Sequence, residues 1–377
     1  MFRRVTREIL TFDWRQSQPA AAAWCLPALA LPLAAGVATG HLRQGMVAAA
    51  GAFSVGFGSF QQLGASRKTP MLVATAGMCL SSWIGTLGGL SGPAIALLCA
   101  VWGGIYAMAW TRGPGASWIA LQCLIWLILS SAYPTSGWAA LTRGSFVLGG
   151  GLLQMASISL AWRFAGRVPP VAGTTTRAAE PALAAFSPGA AQRWQVVRVG
   201  ATLALSMALA QGLALPSGYW IPMTAAIVTR PELQHTIQRG FARMGGTLAG
   251  AAVATLIAFS LRPLPGVLAV LVLLFAGACY YLVYVNYAAF AACLTSYVVF
   301  LLALVGAPAP VTIAHRIVNT LIGGALAGLG HAVFVGMGLL VARRRIHGGL
   351  AAPAARDRVG ALTPDSASPD SPHIPSA

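Results

Sequence analysis

Long apolar stretches interrupted by isolated arginines and Gly/Pro breaks set the pattern of this chain. Residues 16–42 and 44–66 are uncharged apart from their edges, and each is long enough for one membrane-crossing helix of about 20 residues. The run 69–111 holds two helices, with a break at Leu90-Ser91-Gly92-Pro93, and 113–142 holds a fifth. A sixth runs from about Trp138 to Trp162. After a polar stretch, 199–229 predicts a seventh helix and a short eighth, 244–261 a ninth, and 263–315 a tenth and eleventh around Asn286. The twelfth covers Arg316 to Ala342. The expected fold class is therefore an all-α integral membrane protein of about 12 transmembrane helices.

Composition agrees with this and removes a competing reading. Hydrophobic residues make up 57% and charged residues 8%, where a soluble chain carries about 25% charged residues. The net charge of +17 would suggest nucleic-acid binding in a soluble protein, but here the basic residues are spread between apolar runs. Nucleic acid is thus excluded as a partner, and charge reports orientation. With the N-terminus inside, only Arg43, Arg143, Arg262 and Arg316 fall on the outer side, while Arg67, Lys68, Arg112, Arg163, Arg230, Arg239, Arg243 and the run Arg343-Arg344-Arg345 fall on the inner one. Both termini are expected to be cytoplasmic in a multi-pass cell inner-membrane protein. Trp24–Gly40 lacks an A-x-A-like exit and reads as the first helix rather than a signal peptide. Cys25, Cys79, Cys99, Cys123, Cys279 and Cys293 all sit in apolar runs, which predicts free core thiols and no metal site.

The two halves match at a constant offset of 173 residues, as from Gly45 to Gly218. Gln61 then pairs with Gln234, Met71 with Met244, and Gly77 with Gly250; Arg143-x6-Gly150-Gly151 pairs with Arg316-x6-Gly323-Gly324. This predicts two six-helix repeats in the same orientation, related by a pseudo-two-fold axis along the membrane normal. The expected division is a first repeat at 1–168, a Pro/Thr/Gly-rich cytoplasmic linker at 169–192, a second repeat at 193–345, and a disordered cytoplasmic tail at 346–377.

Candidate chemistry is positive rather than acidic. Between Asp13 and Asp357 the acids are Glu180 and Glu232, with no carboxylate pair for a metal, no Gly-x-Ser-x-Gly elbow and no phosphate-binding loop, so an enzyme is not expected and no cofactor is assigned. Arg143, Arg316 and Arg198 lie within or at the ends of spans, where a central arginine costs about 2.5–3.5 kcal/mol. Arginine offers a fork suited to a carboxylate substrate; the alternative is that Arg143 and Arg316 snorkel to headgroups. Tyr219, Trp220 and Thr224 open the short eighth helix as substrate-contact candidates, or as an interfacial aromatic belt. Glu232 and His331 are candidates for proton coupling, against an ion pair of Glu232 with Arg230, Arg239 or Arg243 and a hydrogen-bonded core role for His331. Gly246/Gly250 and Gly324/Gly328 read as small-residue packing faces.

Residues 218–256 contain Gly218-Tyr219-Trp220-x-Pro222-x-Thr224, Pro231, and Arg239-Gly240-x-x-Arg243-x-Gly245-Gly246-Thr247-x-x-Gly250. This segment resembles the signature of the fusaric acid resistance protein-like (FUSC) family, which is similar to bacterial aromatic acid exporters and, more distantly, to plant aluminium-activated malate channels. The first half departs from it, with Arg67-Lys68-Thr69-Pro70 at the matching place. The resemblance implies an inner-membrane transporter exporting aromatic or other organic carboxylate anions, with a periplasmic adaptor protein in some members. Arg143, Arg316 and Arg243 are then the cationic substrate-binding candidates. A passive anion channel and a non-transporting envelope scaffold stand as alternatives. Expected partners are the lipid bilayer and the organic anion, and a homo-oligomer is left open.

Overall fold

The computed structural model describes residues 11–164, 189–261 and 264–349. Residues 169–188 of the expected linker and nearly all of the tail, together with Arg262, lie outside these residues, while the last residues of that linker, from Ala190, already belong to a helix. Two compact units are present, Met1–Phe334 and Val335–Ala377; among the described residues the second holds only the C-terminal part of the last helix.

The described residues form twelve α-helices: α1 (Pro19–Ala38), α2 (Leu42–Gly56), α3 (Lys68–Thr86), α4 (Gly92–Ala109), α5 (Pro114–Ser131), α6 (Gly137–Phe164), α7 (Ala190–Gly212), α8 (Trp220–Val228), α9 (Leu233–Leu261), α10 (Pro265–Leu282), α11 (Tyr287–Ala303) and α12 (Ala309–Gly349). Their starts follow from local chemistry. Proline occupies the first turn of α1, α4, α5 and α10, where its missing N–H is not needed. The Asn286 carboxamide accepts from the Ala289 N–H at 2.9 Å and caps α11.

Helices α1, α4, α5, α6, α9, α10 and α12 are long and apolar enough to cross a bilayer, which makes the chain a multi-pass membrane protein. The uniform picture of twelve full spans needs correcting at both kinds of exception. At about 1.5 Å per residue, α8 is only roughly 14 Å long and α2 roughly 22 Å, so neither crosses a core of about 30 Å unaided. Helices α3 and α7 are long enough but carry inward polar residues, Thr75, Ser81, Ser82 and Thr86 on one and Arg198, Thr202 and Ser206 on the other, all buried. Outward faces are apolar: Leu97, Leu205, Leu256, Phe259, Val270 and Leu274 are well exposed, as lipid contact requires.

Packing relies on small residues and on side-chain hydrogen bonds between helices. Gly246 and Gly250 on α9 press against the Ala288 and Ala292 carbonyls of α11, and Ser296 Oγ donates to the Gly250 carbonyl at 3.1 Å. On α12 the close-packed glycines are Gly323, against Ile221 of α8, and Gly330, against Thr202 of α7. Gly324 meets only the Met244 sulfur at 3.7 Å and Gly328 faces open space, so the small-residue face is rotated from the expected Gly324/Gly328 pair. Trp126 donates to Ser54 Oγ at 3.1 Å, and Trp102 to Ser81 Oγ at 3.0 Å.

Equivalent helices in the two halves choose equivalent neighbours. Helix α3 packs on α5 as α9 packs on α11; α4 packs on α5 as α10 on α11, and α1 on α2 as α7 on α8. The halves also exchange contacts reciprocally, α4 with α7 and α10 with α1. At residue level Gly150 lies against Ala48 and Gly323 against Ile221, and both members shift by the same sequence offset.

Candidate functional site

The short helix α8 sits where the backbone is least regular. Between α7 and α8, Ala214 and Ser217 have φ of 45° and 55°, a left-handed conformation that side-chain-bearing residues seldom adopt. Carbonyls freed in this turn need partners away from water, and Asn319 on α12 supplies them: its Nδ2 donates to the Pro216 oxygen at 3.1 Å and the Ser217 oxygen at 3.0 Å. Helix α8 is buried at nearly every position and ends at Thr229, before Pro231. Tyr219 and Trp220 are thereby fixed at its N-terminus, with ring centroids 5.2 Å apart.

These two rings form part of the wall of a cavity of about 1280 Å³, above the ~300–1,000 Å³ usual for a small-molecule pocket. Its wall draws on the first turn of α2 at Arg43 and the α5–α6 and α11–α12 connections at Tyr133 and Ala307, and on the α2–α3, α4–α5, α8–α9 and α10–α11 connections at Gln61, Gly113, Pro231 and Tyr284. The cavity therefore reaches both sets of connections. A smaller cavity of about 380 Å³ shares Tyr133 and Tyr219 with it, and these rings stand 6.3 Å apart as a partition.

The wall is aromatic and cationic. Phe53 stacks on Tyr297 at 4.4 Å, and Phe57 meets Phe290 edge-on at 5.8 Å. Five arginines line it, Arg43, Arg143, Arg230, Arg239 and Arg243, and among the described lining residues there is no Asp, Glu, Lys or His. Arg239 and Arg243 come one turn apart on α9, a like-charge pair that costs a few tenths of a kcal/mol in an isolated helix. Arg239 lies over the Tyr287 ring at 4.4 Å, Arg143 over Tyr133 at 4.7 Å, and Arg230 donates to the Tyr106 hydroxyl. Among the described residues, the three guanidinium nitrogens of Arg243, Arg143 Nε, and the hydroxyls of Tyr287 and Tyr297 have no hydrogen-bond partner. Buried donors of this kind ordinarily find one, so their concentration on one wall calls for an acceptor.

The expected site residues separate into two groups. Arg143, Arg243, Tyr219 and Trp220 share the cavity wall. Arg316 lies behind it, 1% exposed, with its guanidinium 3.9 Å from the Trp220 ring and Nη2 donating to Thr295 Oγ1 at 3.2 Å. The snorkelling alternative fails for Arg316, because α12 begins two turns earlier than expected and carries the residue inward. Thr224 is fully buried against Gly323 of α12, away from the wall. Glu232 is well exposed, with His235 rather than an arginine 3.6 Å away. His331 belongs to a separate buried cluster in which Arg198 Nη1 lies 2.9 Å from His331 Nδ1 while Arg198 also binds Gln195 and the Arg230 carbonyl. Because arginine only donates, Nδ1 accepts there and the imidazole proton sits on Nε2.

Sequence reasoning missed the tyrosines. Tyr106, Tyr284, Tyr287 and Tyr297 come from α4, α11 and the α10–α11 turn, and they converge only in three dimensions. It also read Arg230–Arg243 as a loop. That stretch is helical from Leu233, and the helix is what places Arg239 and Arg243 on one face.

The sequence profile of the fusaric acid resistance protein-like family matches residues 191–330, which include α8, α9 and Arg198, Arg230, Arg239, Arg243 and Arg316. No curated protein and no solved structure matches the chain.

Proposed function

Because residues 191–330 are a fusaric acid resistance protein-like segment within a multi-pass membrane protein, we propose that the chain is an inner-membrane transporter that exports aromatic and related organic carboxylate anions. The observation that carries this reading is the cavity wall: five arginines and many aromatic rings around about 1280 Å³, without a described carboxylate to neutralise them. A carboxylate satisfies a guanidinium through two parallel charge-assisted hydrogen bonds. The aromatic ring attached to it packs against the Phe, Tyr and Trp faces beside those arginines. The unpartnered nitrogens of Arg243 and the free hydroxyls of Tyr287 and Tyr297 are the donors such an anion takes up.

In this account the two halves are six-helix repeats in the same orientation, and their matched and exchanged helix contacts support the duplication. With both termini cytoplasmic, the Arg230/Arg239 end faces the cytoplasm and the Arg43/Arg143 end the outside. An exported anion then moves from the first pair to Arg243, past Trp220 with Arg316 behind it, and on to Arg143 between the Tyr133 and Tyr219 rings. Uptake of labelled hydroxybenzoate into everted membrane vesicles tests the reading, with malate and chloride measured alongside. Saturable hydroxybenzoate uptake that requires the protein is expected; no uptake of any of the three overturns it.

A further inference from the structure

The wall of this cavity also bears on what drives transport. Resting on the anion-transport reading, we infer that the substrate crosses as a bare anion, driven by the membrane potential without proton exchange. A proton-coupled carrier needs a group in or beside the path that binds a proton on one side and releases it on the other. Asp, Glu and His ordinarily serve, and the described wall holds none of them. Its five cations are arginines, which keep their protons at any physiological pH. The remaining polar side chains of the wall that carry an acidic proton are the phenols of tyrosines 106, 133, 219, 284, 287 and 297.

Outside the wall the carboxyl and imidazole groups whose side chains are described are Asp13, His41, Glu232, His235, His315 and His331, and none of them lines the cavity; Asp13, His41, Glu232 and His235 are exposed. Glu232 is well exposed beside His235. His331 is buried on α12, and the charged group facing it is Arg198 of α7, itself held by Gln195 and the Arg230 carbonyl. A proton arriving on Nδ1 would set a second cation 2.9 Å from that guanidinium. The charge balance is therefore simple: each passage of a monovalent anion moves one negative charge across the membrane and leaves every protein group in its starting protonation state. An inside-negative potential then favours export without another coupled ion.

Purified full-length protein in liposomes tests this with benzenesulfonate, which stays anionic near neutral pH and so cannot cross as its acid. A potassium gradient with valinomycin sets the potential, and the pH gradient is set independently. Benzenesulfonate is expected to distribute about 50-fold per 100 mV, and a benzenedisulfonate roughly as the square of that ratio. A pH gradient of one unit at zero potential is expected to leave the distribution unchanged. A distribution that follows the pH gradient and ignores the potential overturns the inference while leaving an anion carrier in place. Failure of both benzenesulfonate and hydroxybenzoate to move faster than in protein-free liposomes overturns the transport reading itself.

Discussion

Gly323 is the point at which α12 touches the short helix α8, and replacing it with alanine probes whether the position of α8 matters. A Cβ there would fall on the Ile221 carbonyl oxygen and come within 2.9 Å of the Thr224 Cβ. Helix α8 has little room to retreat, since Trp220, Ile221, Met223, Thr224, Ala225, Ala226 and Val228 are all buried. Overpacking of a filled interior costs about 1–3 kcal/mol, so Gly323→Ala should raise the unfolded fraction roughly 5- to 150-fold. Because Trp220 moves with α8, hydroxybenzoate flux should fall as well. Gly150→Ala, whose Cβ would meet the Ala48 carbonyl in the first half, should cost a similar amount. Gly328→Ala is the control: nothing lies within 4 Å of its added methyl, and alanine favours the helix by up to about 1 kcal/mol. Unfolding of the purified variants in detergent, read by circular dichroism, measures all three. Wild-type stability for Gly323→Ala, or equal damage from Gly328→Ala, would refute the reasoning.

Three further outcomes follow from the same geometry. Arg243→Met removes a buried charge with no hydrogen-bond partner among the described residues, so thermal unfolding should show unchanged or higher stability, by up to about 4 kcal/mol, while flux falls at least tenfold. Arg198→Met should do the opposite to stability, losing about 2–4 kcal/mol in the same assay, because Gln195 and His331 are left without their donor and the Arg230 carbonyl keeps only the Thr236 hydroxyl at 3.3 Å. Asn319→Leu strips the Pro216 carbonyl of its donor and leaves the Ser217 carbonyl with only the Trp220 N–H, costing about 2 kcal/mol; limited proteolysis should then cut between Leu213 and Tyr219 faster than in wild type.

Much of the helical order was legible because the signals are local. The break at Leu90-Ser91-Gly92-Pro93 and the interruption around Asn286 mark helix starts that the structure keeps. The short α8 could be read from Tyr219-Trp220 at one end and Arg230-Pro231 at the other. Errors came where polarity was taken for exposure. His235, Arg239 and Arg243 gave Leu233–Arg243 the composition of a loop, yet two of the three face an interior cavity from a helix. Arg316 looked like a helix-end residue because Ala309–His315 carries a proline and a histidine, whereas α12 begins with them. The site was partly legible through its arginines, since charge in an apolar run stands out. Its tyrosines did not stand out, because a tyrosine in such a run has the same composition whether it faces lipid, packing or a cavity. Nor does sequence reveal that Arg198 is paired and Arg243 unpaired, a difference that decides which of them is free to meet a ligand.

The measurement that tests the central claim most directly is counterflow of labelled hydroxybenzoate in liposomes carrying the purified protein, comparing wild type with Arg243→Met. If the arginine-walled cavity carries aromatic carboxylates, wild type accumulates label against internal unlabelled hydroxybenzoate, and Arg243→Met, folded and equally incorporated, does so at a tenth of the rate or less. Equal counterflow in the two proteins, or none above protein-free liposomes in wild type, would contradict the account.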